Sequence, residues 1–289
     1  MADPNGQFVW YELMTTDMTA AAAFYAKVVG WGTRDASAPA AAYTLLTAGE
    51  IPICGVTSLP PEVRRMGVQP GWLGYVEVDD VDAAADRFRR LGGTVHVPPM
   101  DIPDISRFAV VADPQSATLA LVKWRNAGAD MPADRDKAGR VGWHELIAAD
   151  WAKAFAFYAE LFGWQTAPAV FGQTGTYQRF AIAGQLAGGM YTKPPAAPVP
   201  FWLYYFNVHD IDAAAERVMN GGGQILEGPL VYGTAWVARC MDPQGAMFAL
   251  IGTRSDKAVG YFVRGASRDP SGVPARKGRD KAGTKESCG

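Results

Sequence analysis

Residues 10–31, WYELMTTDMTAAAAFYAKVVGW, return at residues 143–164 as WHELIAADWAKAFAFYAELFGW. The offset of 133 residues from Trp10 to Trp143 also relates Asp17 to Asp150, Phe24 to Phe157, Tyr25 to Tyr158 and Gly30 to Gly163. Further along, GWLGYVEVDDVDAAADRFRRLGG from Gly71 matches FWLYYFNVHDIDAAAERVMNGGG from Phe201, and VVADPQSATLALV from Val110 matches RCMDPQGAMFALI from Arg239. The offset drifts from 133 to 129 while the order of motifs holds, as small loop deletions in a duplicated unit require.

Within each copy the local pattern is the same. Phe8 to Leu13 alternates with strand period, and Thr16-Asp17 supplies an N-cap for an alanine-rich helix that Gly30 ends. Ala42 to Leu46 and Ile51 to Val56 read as short strands around a turn at Gly49-Glu50, before a Pro60-Pro61 connector. Trp72 to Val78 is a further strand, Asp80 caps a helix from Val81 to Leu91, Gly92-Gly93 stops it, and three strands follow to about Lys123. The expectation is an α+β fold of four βαβββ modules, two per half, forming cupped, partly open mixed β-sheets. Whether modules pair within a half or across halves stays open. The domains are expected at 1–125 and 140–254, with a polar linker at 126–139 and a C-terminal tail at 255–289. From about residue 267 the tail holds almost nothing apolar to offset ordering entropy and is expected to be disordered.

The balance of 27 Lys+Arg against 29 Asp+Glu leaves no basic excess for a phosphate backbone or an anionic membrane, so neither nucleic acid nor membrane is an expected partner. No apolar run is long enough to span a bilayer and the N-terminal residues lack a leader pattern, so the chain reads as cytoplasmic. Cys54, Cys240 and Cys288 are too few and scattered for a disulfide framework or a zinc site and are expected as free thiols. No GxGxxG, P-loop, GxSxG or HExxH is present, which removes dinucleotide, nucleoside triphosphate, hydrolase-elbow and zincin readings.

The joint pattern of strand-x-x-D-helix-FYxxxxGW, D-[V/I]-D-A-A-A-[D/E]-R and D-P-Q-[S/G]-A resembles the vicinal oxygen chelate superfamily, which includes glyoxalase I, extradiol dioxygenases and the bleomycin resistance proteins. In tandem it most resembles the two-domain, mycobacterial antigen-type glyoxalase-like proteins. The resemblance implies ligand positions, in metal-dependent members, seven residues before each helix-capping Asp and seven after the Asp of DP. Here these are Trp10, Leu73 and Ala120 in the first half, and Trp143, Leu203 and Ala249 in the second. None offers a lone pair to a divalent cation, so no metal and no other cofactor is expected. A shift of one residue reaches only Tyr11 and His144 and turns to the opposite face of the strand. His144, His96 and His209 are read as ordinary packed or surface imidazoles.

Period-two alternation carries Glu12 to the same face as Trp10, Glu145 with Trp143, Tyr75 with Leu73 and Tyr205 with Leu203. A carboxylate enclosed by aromatic and apolar groups has its pKa moved upward, toward the range useful for general acid–base work, and a tyrosine beside it can hold a substrate oxygen. Glu12, Glu145, Tyr75 and Tyr205 are therefore the candidate catalytic residues. Trp10, Leu73, Arg107, Trp143, Leu203 and Trp236 are the candidate ligand contacts, with Arg107 expected at the mouth of the first cavity. Each Glu has two competing roles, ligand contact without chemistry and simple scaffolding. The expected function is a metal-independent lyase, isomerase or hydrolase acting on a small carbonyl, epoxide or lactone compound, as a monomer or homodimer. The alternative is a non-catalytic binding protein of the bleomycin-resistance type.

Overall fold

The structure, a computed structural model, describes residues 5–38, 41–125, 135–172, 175–195 and 199–254. The tail and most of the expected linker lie outside the described residues. Of that linker, residues 135–139 are anchored: the indole of Trp31 donates to Gly139 O at 2.8 Å, and Arg135 donates to Gln7 Oε1 at 2.9 Å.

The first module runs β1 (Phe8–Thr15), α1 (Met18–Val29), β2 (Gly32–Asp35), β3 (Thr44–Ala48) and β4 (Ile51–Ser58). After a short helix α2 (Pro61–Arg65) come β5 (Gly71–Glu77), α3 (Val81–Arg90), β6 (Thr94–Ile102), β7 (Ser106–Ala112) and β8 (Thr118–Trp124). The second half repeats this with β9 (Val141–Ala148), α4 (Trp151–Phe162), β10 (Gln165–Thr166), β11 (Val170–Gly172), β12 (Gly175–Ile182) and β13 (Gln185–Thr192). It ends with β14 (Phe201–Asp210), α5 (Ile211–Asn220), β15 (Gln224–Tyr232), β16 (Ala235–Met241) and β17 (Met247–Thr253).

The four long helices begin where the sequence supplies a cap. Asp17, Asp80, Asp150 and Asp210 each accept a backbone N–H of the first turn, an interaction that stabilises a helix by about 1 kcal/mol. Gly30 and Gly163 end α1 and α4 at φ 88° and 70°, a left-handed turn that favours a residue without Cβ.

Modules pair within their own half. The first sheet has the order β2-β3-β4-β1-β5-β8-β7-β6 and the second β10-β12-β13-β9-β14-β17-β16-β15, with β11 added on β12. The joints are the antiparallel pairs β1–β5 and β9–β14. Neither sheet closes into a barrel. One face of each sheet meets the helices and the other half in a common core that includes Phe8, Tyr11, Tyr25, Trp72, Phe157, Trp202 and Phe206. The other faces carry separate smaller clusters, around Leu73, Tyr75 and Ala120 in the first half and Leu203, Tyr205 and Ala249 in the second.

The repeated motifs clamp the halves to each other. Tyr25 donates to Asp242 Oδ2 at 3.1 Å, and its counterpart Tyr158 donates to Asp113 Oδ2 at 3.1 Å. Trp31 reaches Gly139 O, and its counterpart Trp164 reaches Gly6 O, both at 2.8 Å. Asp113 and Asp242 also organise their own turns, each accepting two backbone N–H groups on Oδ1. Each half thus supplies the tyrosine and tryptophan that satisfy polar groups of the other, a reciprocity that buried polar atoms require when they sit at an apolar interface.

Candidate active site

On β1, alternation sends Tyr11 and Leu13 into the common core and leaves Trp10, Glu12 and Met14 on the opposite face, the one the sequence leads one to expect as concave. Leu73 and Tyr75 on β5, Val110 on β7, and Ala120 and Val122 on β8 share that face, with Phe108 and Trp124 beside them. Glu12 Oε2 accepts from the hydroxyl of Tyr43 at 2.9 Å, and Oε1 from that of Tyr75 at 3.3 Å. Tyr43 in turn accepts from the indole N–H of Trp10 at 3.2 Å. Tyr43 reaches the carboxylate across Gly55 of β4, where a Cβ would overlap the phenol ring. Glu12 as a residue is half-buried, but its carboxyl is enclosed, and desolvation raises its pKa against the smaller opposing effect of the two phenol bonds. Burial and the neighbouring Glu12 charge push both phenols upward too, so Tyr43 and Tyr75 stay protonated and act as donors.

The second concave face repeats the frame with a different charge. Trp143 donates to the Tyr177 hydroxyl at 2.8 Å, and Tyr177 faces Gly189 as Tyr43 faces Gly55. Tyr205 donates to Glu145 Oε2 at 2.8 Å. The same oxygen accepts from Arg239 Nη2 at 2.8 Å, while Arg239 Nη1 bonds Glu227 Oε2 at 2.6 Å and the guanidinium lies 5.6 Å from the Tyr191 ring centroid. Glu145 is therefore matched by a cation, and Glu12, among the described residues, is not.

Eight of the ten residues singled out from sequence stand on these two faces: Trp10, Glu12, Leu73 and Tyr75 on the first, Trp143, Glu145, Leu203 and Tyr205 on the second. Two do not. Arg107 grips Asp82 at 2.6 and 2.8 Å and Asp101 at 3.2 Å, beside the start of α3. Phe108 and Val110 of the same strand face the cup, and Arg107 extends to the helix side. Trp236 packs against the common core with the Arg254 guanidinium 3.8 Å from its ring centroid. Its neighbour Val237 faces the second cup. Sequence reading missed Tyr43, Tyr177, Arg239 and Glu227. Only Arg239 left a signal, as the residue opposite Val110 when the two DPQ segments are aligned.

A surface cleft of about 350 Å³ lies over Arg107, Asp82, Lys123 and Arg125, but its charges pair with one another, and another of about 330 Å³ lies near Gly30, Gly49 and Gly139. The concave faces are the stronger candidates because they gather an enclosed carboxylate, phenol donors and half-buried aromatic rings at one place.

A family model described as the Glyoxalase/Bleomycin resistance protein/Dioxygenase superfamily matches residues 7–121 and again 140–250. The chain belongs to this superfamily. Among its relatives, one from Mycobacterium tuberculosis (strain CDC 1551 / Oshkosh), named "Putative glyoxylase CFP32", is 33% identical over 249 residues, 84% of this chain and 93% of the relative. The anthracycline biosynthesis protein DauV of Streptomyces sp. (strain C5) is 30% identical over 262 residues, 86% of this chain and 94% of that protein. The fold is also that of the Mn(II)-bound glyoxalase from Novosphingobium aromaticivorans, with a TM-score of 0.59 at 14% identity over 87% of this chain and 83% of the other.

A glyoxalase-superfamily metal would need donors that these faces do not offer. Trp10, Leu73 and Ala120, and their counterparts Trp143, Leu203 and Ala249, stand together with no coordinating atom among them. On the first face the Glu12 carboxylate stands between neutral phenols, and the second face places a guanidinium between Glu145 and Glu227. Among the described residues no group of three or more His, Cys, Asp or Glu could hold an ion. The residues present do not fit a divalent cation.

Proposed function

We propose that the protein is a metal-independent acid–base enzyme acting on a flat, largely apolar carbonyl compound bound in the first concave face. The observation that carries this reading is Glu12: an enclosed carboxyl with raised proton affinity, hydrogen-bonded by two tyrosines and, among the described residues, by no cation. In this reading the Glu12 carboxylate takes a proton from the carbon next to the substrate carbonyl. The electron pair of the broken C–H bond moves to the carbonyl oxygen, and a phenol of Tyr75 or Tyr43 donates to the resulting enolate. Glu12 then returns the proton to the same carbon or to another, giving exchange or isomerisation. Trp10, Phe108 and Trp124 supply half-buried ring faces for a planar ligand. The relationship to an anthracycline biosynthesis protein supports a polycyclic aromatic ligand.

The test is solvent deuterium incorporation into 2-tetralone, an aryl-fused ketone with acidic α-hydrogens. Wild-type protein accelerates exchange, and Glu12→Gln, which keeps one acceptor oxygen but cannot take a proton, lowers the rate by about 10²–10⁴-fold with binding retained. A second reading, sequestration without chemistry, draws on the two phenols that already occupy both oxygens of Glu12. It predicts tight binding and no exchange.

A further inference from the structure

We propose that Arg239 occupies, in the second concave face, the place a ligand's polar group takes in the first, so that the chain holds one open cup and one cup closed by its own guanidinium. This rests on the reading of the first face as the ligand site.

The register of the sheets makes the comparison residue by residue. Across β1, β5, β8 and β7 the first half aligns Trp10, Tyr75, Ala120 and Val110. Across β9, β14, β17 and β16 the second half aligns Trp143, Tyr205, Ala249 and Arg239. One strand further out, Val97 faces Val110 in the first half, and Glu227 faces Arg239 in the second. The tryptophan, the two tyrosines, the glutamate and the glycine that makes room for the outer tyrosine are common to both halves. The apolar lining also differs, as in Met14 against Ile147 and Phe108 against Val237, but the difference in charge is one cross-strand pair, Val97–Val110 against Glu227–Arg239.

The consequence for a ligand is direct. Arg239 donates to Glu145 Oε2, the atom a ligand hydroxyl or an acidic C–H would approach, and Glu145 is only 3% exposed. Its guanidinium also covers the ring of Tyr191. In the first half Val110 leaves Glu12 half-buried beneath an apolar wall, and the ring faces beside it remain partly uncovered. A planar compound with a single hydroxyl group finds its acceptor without a cation partner among the described residues there, and finds it already taken by Arg239 in the second half.

Binding of 2-naphthol, which pairs a flat apolar body with one hydroxyl, counts the open cups by calorimetry and by its fluorescence. Wild-type protein binds one equivalent per chain. Glu227→Val/Arg239→Val, which rebuilds the first half's pair in the second, binds two. Val97→Glu/Val110→Arg, which installs the ion pair in the first half, weakens the original binding at least about tenfold. Because the two double variants approach the claim from opposite directions, a folding failure of one leaves the other decisive. Two equivalents on the wild type, no added equivalent on folded E227V/R239V, or unchanged affinity in folded V97E/V110R overturns the proposal. The function reading fails separately, by Glu12→Gln exchanging 2-tetralone protons like the wild type while the binding counts stand.

Discussion

Tyr11 and His144 occupy equivalent positions of the two halves and hydrogen-bond to each other, Oη to Nε2 at 2.5 Å. The pseudo-symmetry of the duplication therefore passes between them, in the buried layer behind β1 and β9. His144 Nδ1 lies 2.8 Å from Ala187 O, which can only accept, so the neutral ring carries its proton on Nδ1 and takes the Tyr11 hydroxyl on Nε2. Phe8 stacks on the imidazole at 4.1 Å between centroids.

That arrangement predicts an acid-sensitive fold. Burial lowers the His144 pKa from 6.5 to about 3, so between those values the unfolded chain binds a proton that the native chain refuses. Stability from this group is complete above the unfolded value and falls as pH drops through the window, by up to about 1.4 kcal/mol per unit. Urea unfolding of wild type and His144→Gln at pH 7 and pH 5 isolates the effect, since other titrating groups are shared. The wild type loses about 2 kcal/mol more than the variant over that step; parallel pH dependences would refute the assignment.

The reciprocal clamps predict a second stability effect. Tyr25→Phe and Tyr158→Phe each leave a buried aspartate, Asp242 or Asp113, without its cross-half donor, at a cost of about 1–3 kcal/mol. The two bonds share no residue, so their costs in the double variant add approximately. Because both halves contribute to one core, denaturation of each variant remains a single transition with a lowered midpoint. Separate unfolding of the two halves, or no loss of stability, would contradict this.

Much of the fold was legible in sequence because the repeat fixes four modules, their capping aspartates and the side of β1 that carries Glu12. The site was legible only where parity could be counted from an apolar strand centre. Arg107 and Trp236 stand away from the expected ligand contacts because the alternation anchored at Val110 and Arg239 turns them to the helix side. Tyr43 and Tyr177 gave no signal: each meets its glutamate only after the chain has folded back across a glycine on the next strand. The partnership of Tyr25 with Asp242, 217 residues apart, is likewise a product of how the halves dock.

Arg107→Ala tests its revised position. With a side chain 34% exposed and bonded to aspartates that are more exposed still, Arg107 contributes little to stability, and the variant's urea midpoint stays close to that of the wild type. Ligand affinity and exchange rate stay at wild-type values. A large loss of binding would return Arg107 to the ligand site.

The donor set predicts that purified protein carries well under one equivalent of manganese, iron, nickel or zinc. A strong chelator leaves the melting temperature unchanged, because no ion is linked to the folded state. Stoichiometric metal by elemental analysis, with a chelator-induced drop in melting temperature, would overturn the reading of Trp10, Leu73 and Ala120.

The two phenols on Glu12 should separate in a pH profile. Each bond stabilises the charged carboxylate, so removing one raises the Glu12 pKa further, and the Tyr43 bond at 2.9 Å outweighs the Tyr75 bond at 3.3 Å. A general base works only when ionised, so the acid limb of the 2-tetralone exchange rate follows that pKa. Tyr43→Phe therefore moves the limb to higher pH, and Tyr75→Phe moves it in the same direction by less. Tyr75 lies beside the apolar wall of Leu73, Ala120 and Val122, the position from which a phenol can reach a substrate oxygen, so Tyr75→Phe also lowers the plateau rate above the limb. A limb that stays put in both variants would remove Glu12 from the rate-determining proton transfer. A limb that moves alike in both, with equal plateaus, would leave the two tyrosines with one shared positioning role.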